Sequence, residues 1–82
     1  MLETEVKEIE IGDLVYLKSD PEFLFNVVDD MEKVISITSP QMSTLYKGYY
    51  NLTAIDKKNN KAIELKNIHK DTFVVVKKSK DF

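Results

Sequence analysis

The chain contains no cysteine, arginine or tryptophan, and only two glycines and two prolines among its 82 residues. Without cysteine it forms neither a disulfide nor a thiolate metal site, and it has no cysteine nucleophile. So little glycine and proline argues against a disordered or low-complexity chain. No apolar run is longer than residues 73–76, far below the roughly 20 residues of a membrane-spanning helix. We expect one small cytoplasmic domain, because the N-terminus also lacks the apolar stretch of a secretory signal.

The charges are unevenly distributed along the chain. Residues 1–32 hold ten acids and two lysines, 2 − 10 = −8, whereas residues 33–82 hold ten lysines and four acids, 10 − 4 = +6. The basic half could form a face for nucleic acid or for an acidic partner. Alternatively, the two halves pair in the fold and cancel, and the absence of arginine, with its bidentate phosphate contacts, favours this second interpretation.

Apolar and polar residues alternate with a period of two in five or six segments, in which β-branched and aromatic residues dominate. Short strands at this spacing favour a small antiparallel β-barrel, because closure removes exposed sheet edges. An OB-fold is the alternative, although it often needs a helix that we do not expect here. We therefore predict an all-β domain over residues 9–78, with an N-terminal arm at 1–8 and a C-terminal tail at 79–82.

The segments between the alternating runs predict turns, loops and one further strand. Residues 29–33 are predicted to form a hairpin loop, and residues 35–38 a short strand. The asparagine-rich residues 56–61 predict a second hairpin. Residues 39–48 show no alternation and form either a functional loop or a short helical turn, and residues 67–72 predict a single 3₁₀ turn before the last strand. The inward-facing positions of the strands predict the core, which consists of Val15, Leu17, Phe25, Ile37, Leu52, Ile63, Leu65 and Val75.

The opening pattern Gly-Asp-x-Val-x-Leu-Lys-Ser-x-Pro at residues 12–21 resembles the YodC-like family of small uncharacterised bacterial proteins. The resemblance extends over residues 11–28 and 62–76 and implies an SH3-like barrel of five to six short antiparallel strands. It implies no catalytic residue, because that family carries no assigned chemistry. Independently of the resemblance, Gly12 can adopt a backbone conformation that a Cβ would oppose, and Asp13 can accept hydrogen bonds from nearby amides.

Residues that could carry out catalysis or bind a metal are few and isolated. His69 is the only histidine and belongs to no metal-binding motif, so we interpret it as an exposed turn residue. Asp29, Asp30 and Glu32 lack the spacing of a calcium loop. No base accompanies the serines and threonines near residue 40, and there is no glycine-rich phosphate loop. The sequence therefore predicts a protein that is not an enzyme and has no cofactor or metal.

Residues 45–50 combine three tyrosines with a lysine and a glycine, a composition suited to base stacking and to protein interfaces. We predict a partner-binding surface here and in the Lys-rich hairpin, made of Tyr46, Lys47, Tyr49, Tyr50, Lys57 and Lys58. The favoured function is that of a non-catalytic interaction module, for example a phage or mobile-element accessory protein, that binds a protein partner. The alternative is a KOW-like barrel that binds nucleic acid through its lysine-rich half.

Overall fold

The computed structural model describes residues 9–81, which form five strands and one short helix. The strands are β1 (Leu14–Leu17), β2 (Asp20–Asp30), β3 (Tyr49–Asp56), β4 (Lys61–His69) and β5 (Phe73–Lys77), and the helix is α1 (Met31–Thr38). Single 3₁₀ turns occupy Ser43–Tyr46, Lys70–Thr72 and Ser79–Asp81. The predicted N-terminal arm at residues 1–8 lies outside the described residues.

All five strands belong to one antiparallel sheet in the order β4-β3-β2-β1-β5. The first four strands form a meander, and the 3₁₀ turn at Lys70–Thr72 then brings β5 back beside β1. The predicted 3₁₀ turn before the last strand and the hairpin at residues 56–61 are therefore confirmed. Among residues 9–81 no hydrogen-bonded ladder joins β4 to β5, so the sheet is open along these two edges.

The long strand β2 connects the two parts of the sheet. Its first half pairs with β1 as far as Asn26, and from Asn26 onward it pairs with β3. The ladder shifts register between Val27 and Asp29, where Val28 is the additional residue. Such a bulge increases the local twist of a strand, and here it lies just before the chain leaves the sheet for α1.

The core lies on one face of this sheet and follows the predicted alternation closely. Its buried members are Val15, Phe25, Val27, Tyr50, Leu52, Ala54 and Phe73. Of the predicted core, Val15, Phe25 and Leu52 are buried, while Leu17, Ile63, Leu65 and Val75 pack against the core from half-buried positions. The exception is Ile37, which is 82% exposed.

The predictions of a strand at residues 35–38 and of a hairpin loop at 29–33 are wrong, because α1 occupies this segment. The fold prediction is confirmed in its coarser form, since the described residues form mostly antiparallel sheet with one short helix. Asp30 caps α1 by accepting a hydrogen bond at 3.1 Å from the backbone N–H of Glu32. Ser39 ends the helix and precedes Pro40, whose ring disfavours helical backbone at the residue before it. The cap and the proline thus override the strand preference of three β-branched residues.

A buried carboxylate joins the two ends of the domain. Asp13 is completely inaccessible to solvent, and its side chain accepts hydrogen bonds from Lys78 Nζ at 2.6 Å, from Ser79 N at 2.8 Å and from Glu10 N at 2.9 Å. The backbone carbonyl of Asp13 also accepts from Val27 N at 2.9 Å. The predicted local role of Asp13 is confirmed, and its contacts extend to Ser79, the first residue of the predicted tail.

Gly12 is required beside this carboxylate for two reasons. Its φ of +94° lies in the left-handed region, and a Cβ at this position would lie 3.0 Å from Cβ of Ser79. A substituted side chain would therefore strain the backbone and push away the segment that donates to Asp13.

Electrostatics keeps both groups of the Asp13–Lys78 pair charged. Burial by itself raises the pKa of Asp13, but the hydrogen bonds from Lys78, Glu10 and Ser79 and the charge of Lys78 outweigh it, so the pKa lies below its usual value. Burial by itself lowers the pKa of Lys78, but Asp13 and then Glu10 raise it above its usual value. The pair is therefore ionised across the neutral range.

We expect Asp13→Asn to lower the free energy of unfolding by about 3–5 kcal/mol, because Lys78 then keeps its charge in a largely buried position without its main partner. Urea denaturation followed by circular dichroism measures the change. Glu10→Gln is the matched control, since Glu10 contacts the same lysine at 3.4 Å from a half-exposed position and should cost less than about 1 kcal/mol. Equal losses in the two variants would contradict a special role for Asp13.

The free energy of unfolding should depend on pH through the ionisation of Asp13. A carboxyl group whose pKa is lowered by folding stabilises the protein above its unfolded pKa of about 3.9, and this stabilisation is lost as the pH falls through the folded value. We therefore expect the stability difference between the wild type and Asp13→Asn to be constant near neutrality and to shrink below about pH 4. A difference of the same size at about pH 2 and pH 7 would refute this linkage.

Candidate functional site

Of the predicted binding residues, Tyr46 and Lys47 lie in the segment that connects β2 to β3, which comprises α1, the 3₁₀ turn at Ser43–Tyr46 and the loops beside it, and Tyr49 and Tyr50 begin β3. Hydrogen bonds hold this connection in shape. Met42 N donates to Ser39 O at 2.8 Å, Leu45 N to Met42 O at 3.0 Å, and the buried Ser43 Oγ to Pro40 O at 2.8 Å. Residues 39–48 therefore form a locally bonded helical turn, one of the two predicted alternatives.

Three aromatic rings pack edge to face at the end of this connection. The ring centroids of Tyr46 and Tyr49 are 6.5 Å apart, and those of Tyr49 and His69 are 5.0 Å apart. Because each ring lies against the next one, the three do not enclose a cage for a cation. Both tyrosines are half-buried, so each side chain is partly accessible to solvent and partly packed against its neighbour.

His69 is held by the 3₁₀ turn that follows β4. Its Nδ1 lies 3.2 Å from the backbone nitrogen of Asp71, which donates a hydrogen bond to it, and 3.5 Å from Oδ2 of the same residue. The next residue, Lys70, donates its backbone N–H to Gly48 O at 2.8 Å, and Gly48 has a φ of +85°. This bond fixes the beginning of β3 against the end of β4. The exposed-turn interpretation of His69 is therefore incomplete, because its ring also supports Tyr49.

The remaining predicted binding residues are not part of this surface. Tyr50 is buried, with its ring centroid 6.0 Å from that of Phe73, so it belongs to the core. Lys57 and Lys58 lie beyond the last residue of β3, whereas Tyr49 is its first residue. At about 3.3 Å per residue the strand separates them by on the order of 25 Å. The structure brings together Tyr46, Lys47 and Tyr49 and places both hairpin lysines at the opposite end.

Four exposed apolar side chains form a feature that the sequence did not predict. Ile37 and Leu45 are 82% and 67% exposed, and Met42 and Val34 are also exposed. Val34 and Ile37 lie on α1, Leu45 lies in the 3₁₀ turn at Ser43–Tyr46, and Met42 immediately precedes that turn. The helix and the turn pack against each other more than against the sheet. We call Val34, Ile37, Met42 and Leu45 the apolar patch. The helical spacing of residues 34 and 37 and the absence of charge from residues 34–46 are the sequence signals that could have identified it.

A groove of about 760 Å³ lies between the start of α1, residues 9–11 and the loop before β3. Its charged lining comprises Lys33, Lys47, Lys70, Glu10, Asp30 and Glu32. Asp30 caps α1 and Glu10 contacts Lys78, so two of these acids already have partners. None of the three lysines has an ion pair within 4.0 Å in the described part of the chain. Glu32 and the three lysines are therefore the charged side chains of the groove that remain available to a ligand, and they carry both signs of charge.

Within residues 9–81, no group of three or more histidine or acidic side chains is placed to hold a metal ion. In the same range no helix is long and apolar enough to cross a membrane. Comparison of the chain with protein-family models, with curated proteins and with solved structures finds no match.

Substitutions should separate the exposed patch from the core. We expect Ile37→Ala to change the free energy of unfolding by less than about 0.5 kcal/mol, as is usual for an exposed position. Leu52→Ala removes a side chain that is 1% exposed and should cost about 2–5 kcal/mol. Urea denaturation of both variants measures the contrast. A cost for Ile37→Ala above about 1 kcal/mol would contradict the exposed position of this side chain.

Proposed function

We propose that this chain is a non-catalytic interaction module with an SH3-like arrangement of strands that binds a protein partner. The surface consists of Tyr46, Lys47 and Tyr49 together with Met42 and Leu45 of the adjoining 3₁₀ turn. The strand arrangement supports the fold proposal: a four-strand meander is followed by a 3₁₀ turn, and the last strand lies beside the first. The resemblance of residues 12–21 to the YodC-like family agrees with the same proposal.

One observation carries the functional proposal. Residues 34–46 contain no charged residue in a chain that is 32% charged, and yet Met42 and Leu45 are exposed within them. Centres of protein interfaces are depleted of charge and enriched in methionine and tyrosine. Nucleic acid would instead require a row of cations along its phosphates. The composition of this surface therefore favours a protein partner over a nucleic acid.

The local hydrogen bonds strengthen the argument. A mobile loop loses conformational entropy when it becomes ordered on binding, whereas a loop that is already ordered avoids this cost. Residues 39–48 are held by successive turn bonds, and the ring of Tyr46 lies against Tyr49 at the start of β3. The surface is therefore presented in a fixed geometry by a rigid sheet, an arrangement common to binding loops.

We test the proposal with a photo-crosslinking amino acid placed at Leu45 in the full chain within its native cells. The matched control places the same group at Ile55, which is 70% exposed on β3 and outside the proposed surface. We expect a protein adduct at position 45 that survives nuclease treatment and is absent at position 55. Equal adducts at both positions, or nucleic acid adducts at position 45, would contradict the proposal.

The purified adduct partner then allows binding to be measured. We expect Leu45→Ser combined with Lys47→Ala to weaken its affinity at least about tenfold, since a few central residues dominate interface energies. The melting temperature should change little because both side chains are exposed. Lys57→Ala with Lys58→Ala is the control and should leave affinity unchanged. If the affinity of the wild type for the partner fell steeply as the salt concentration rose, this would indicate instead that the partner is bound mainly through phosphate-like charges.

A further inference from the structure

The buried contact between Asp13 and Lys78 holds an amine against a carboxyl group with little access for solvent. Nζ of Lys78 lies 2.6 Å from Oδ2 of Asp13, and the two side chains are 16% and 0% exposed. An amine at this distance from one carboxyl oxygen is also close to the carbon that bears the oxygen. Two groups held at about 3–3.5 Å in a fixed orientation react as if at concentrations that free molecules never reach.

The neighbours of this pair supply the other groups that acyl transfer to an amine needs. The backbone N–H of Ser79 donates to Oδ1 of Asp13 at 2.8 Å, and that of Glu10 donates to Oδ2 at 2.9 Å. Such donors stabilise the negative charge that develops on a carbonyl oxygen during acyl transfer. Oε1 of Glu10 lies 3.4 Å from Nζ of Lys78, where a carboxylate can take a proton from the amine.

We propose that Asp13 and Lys78 form an intramolecular amide bond, with Glu10 as the proton carrier and one water molecule as the product. The site combines a nucleophile, a base and donors to both oxygens of the group under attack. This modification goes beyond the binding of a partner and does not depend on it.

The atoms and electrons of the reaction balance without a further reactant. A proton first passes from the Lys78 ammonium group to Oδ2 of Asp13, which leaves a neutral amine beside a carboxylic acid. The lone pair of Nζ then forms a bond to Cγ, and the carbonyl electrons move to Oδ1, where the N–H of Ser79 stabilises them. Glu10 takes a second proton from Nζ and delivers it to Oδ2. The carbonyl re-forms at Oδ1, the bond from Cγ to Oδ2 breaks, and Oδ2 leaves as water.

The environment of the pair sets the expected pace of the reaction. Burial favours the neutral forms that react, because it raises the pKa of Asp13 and lowers that of Lys78. The hydrogen bonds and charges within the site outweigh burial, so the resting pair is ionised and the reactive form is the minor one. We therefore expect the bond to form slowly, after the chain has folded. Exclusion of solvent from Asp13 also disfavours the hydrolysis that would reverse the reaction.

The bond closes a ring that contains the whole sheet. Asp13 and Lys78 are 65 residues apart along the chain, and all five strands lie between them. A cross-link that closes a long loop stabilises a protein mainly by restricting its unfolded state. The reacted form should therefore unfold at a higher urea concentration than the unreacted form, and its mobility in a denaturing gel should differ from that of the linear chain.

The mass of the purified full chain tests the proposal. We expect the wild type, kept folded at constant temperature, to lose the mass of one water molecule with time. Protease digestion should then yield a branched peptide that joins residue 13 to residue 78. Lys78→Arg keeps the positive charge but removes the primary amine, so it should retain its full mass. Lys80→Arg is the matched control in the same segment and should react like the wild type.

The variant Glu10→Gln tests the proton carrier without removing either reacting group. Its bond should form at least about tenfold more slowly than that of the wild type, because a positioned base typically contributes more than this factor. A rate equal to that of the wild type would overturn the role of Glu10. Circular dichroism verifies that each variant remains folded.

Two results would overturn the bond itself. One is a wild type that keeps its full mass during a week in the folded state. The other is a loss of water that persists in Lys78→Arg, because an aspartate can also lose water by cyclising onto its own backbone, a reaction that needs no lysine. The branched peptide of the wild type decides the question even if Lys78→Arg folds poorly.

Discussion

The fold depends on one buried carboxylate. Asp13 follows the turn at Gly12, contacts β2 through its own backbone, and accepts hydrogen bonds from the segment after β5. Breaking a buried ion pair costs far more than it contributes when intact, because the remaining charge stays desolvated. The segment before β1 and the segment after β5 are therefore fixed to each other and to β2. These contacts of Asp13 explain how a chain of 82 residues without a disulfide can hold a short edge strand such as β5 in place.

A scaffold fixed in this way can carry a connection that does not contribute to the core. The helix α1 has no buried residue, and its neighbouring 3₁₀ turn buries only Ser43. Local hydrogen bonds nevertheless stabilise both elements. Asp30 caps α1, and backbone hydrogen bonds within residues 39–48 hold the 3₁₀ turn. The buried core therefore lies in the sheet, and the proposed recognition surface lies on the connection. Substitutions at the exposed positions of the connection should leave the fold intact, so a change in partner binding could be attributed to that surface.

The sequence predicted the sheet well, because strand alternation and turn residues are local signals. The core positions Val15, Phe25 and Leu52 follow directly from the period of two, and the turn at Gly12-Asp13 follows from its residue types. The helix was missed because Val34, Ile35 and Ile37 have strand preferences. Asp30 before Glu32, and Pro40 at the far end, marked a capped helix that ends before a proline, and these signals should have outweighed propensity.

The structure brings together only some of the residues predicted to form a binding surface, and for a different reason. Tyr46, Lys47 and Tyr49 stood out by composition, and the structure brings them together. Tyr50 fits the same composition, yet strand alternation turns it into the core, where it packs on Phe73. The partners of Asp13 at Lys78 and Ser79 are 65 and 66 residues away along the chain. Contacts at such separations depend on topology, which a local pattern does not contain.

The topology also explains what becomes of the uneven charge along the chain. In the sheet, β3, which contains no lysine, separates the acidic strand β2 from β4, whereas the pair formed by Lys78 with Asp13 and Glu10 joins the acidic and basic halves of the sequence directly. Part of the asymmetry is therefore neutralised in the fold. The segment between β2 and β3 leaves the sheet and carries three charged residues, Glu32, Lys33 and Lys47. Its uncharged stretch at residues 34–46 contains the exposed Ile37 and Leu45, so what distinguishes this segment from the rest of the chain is exposed apolar surface rather than charge of one sign.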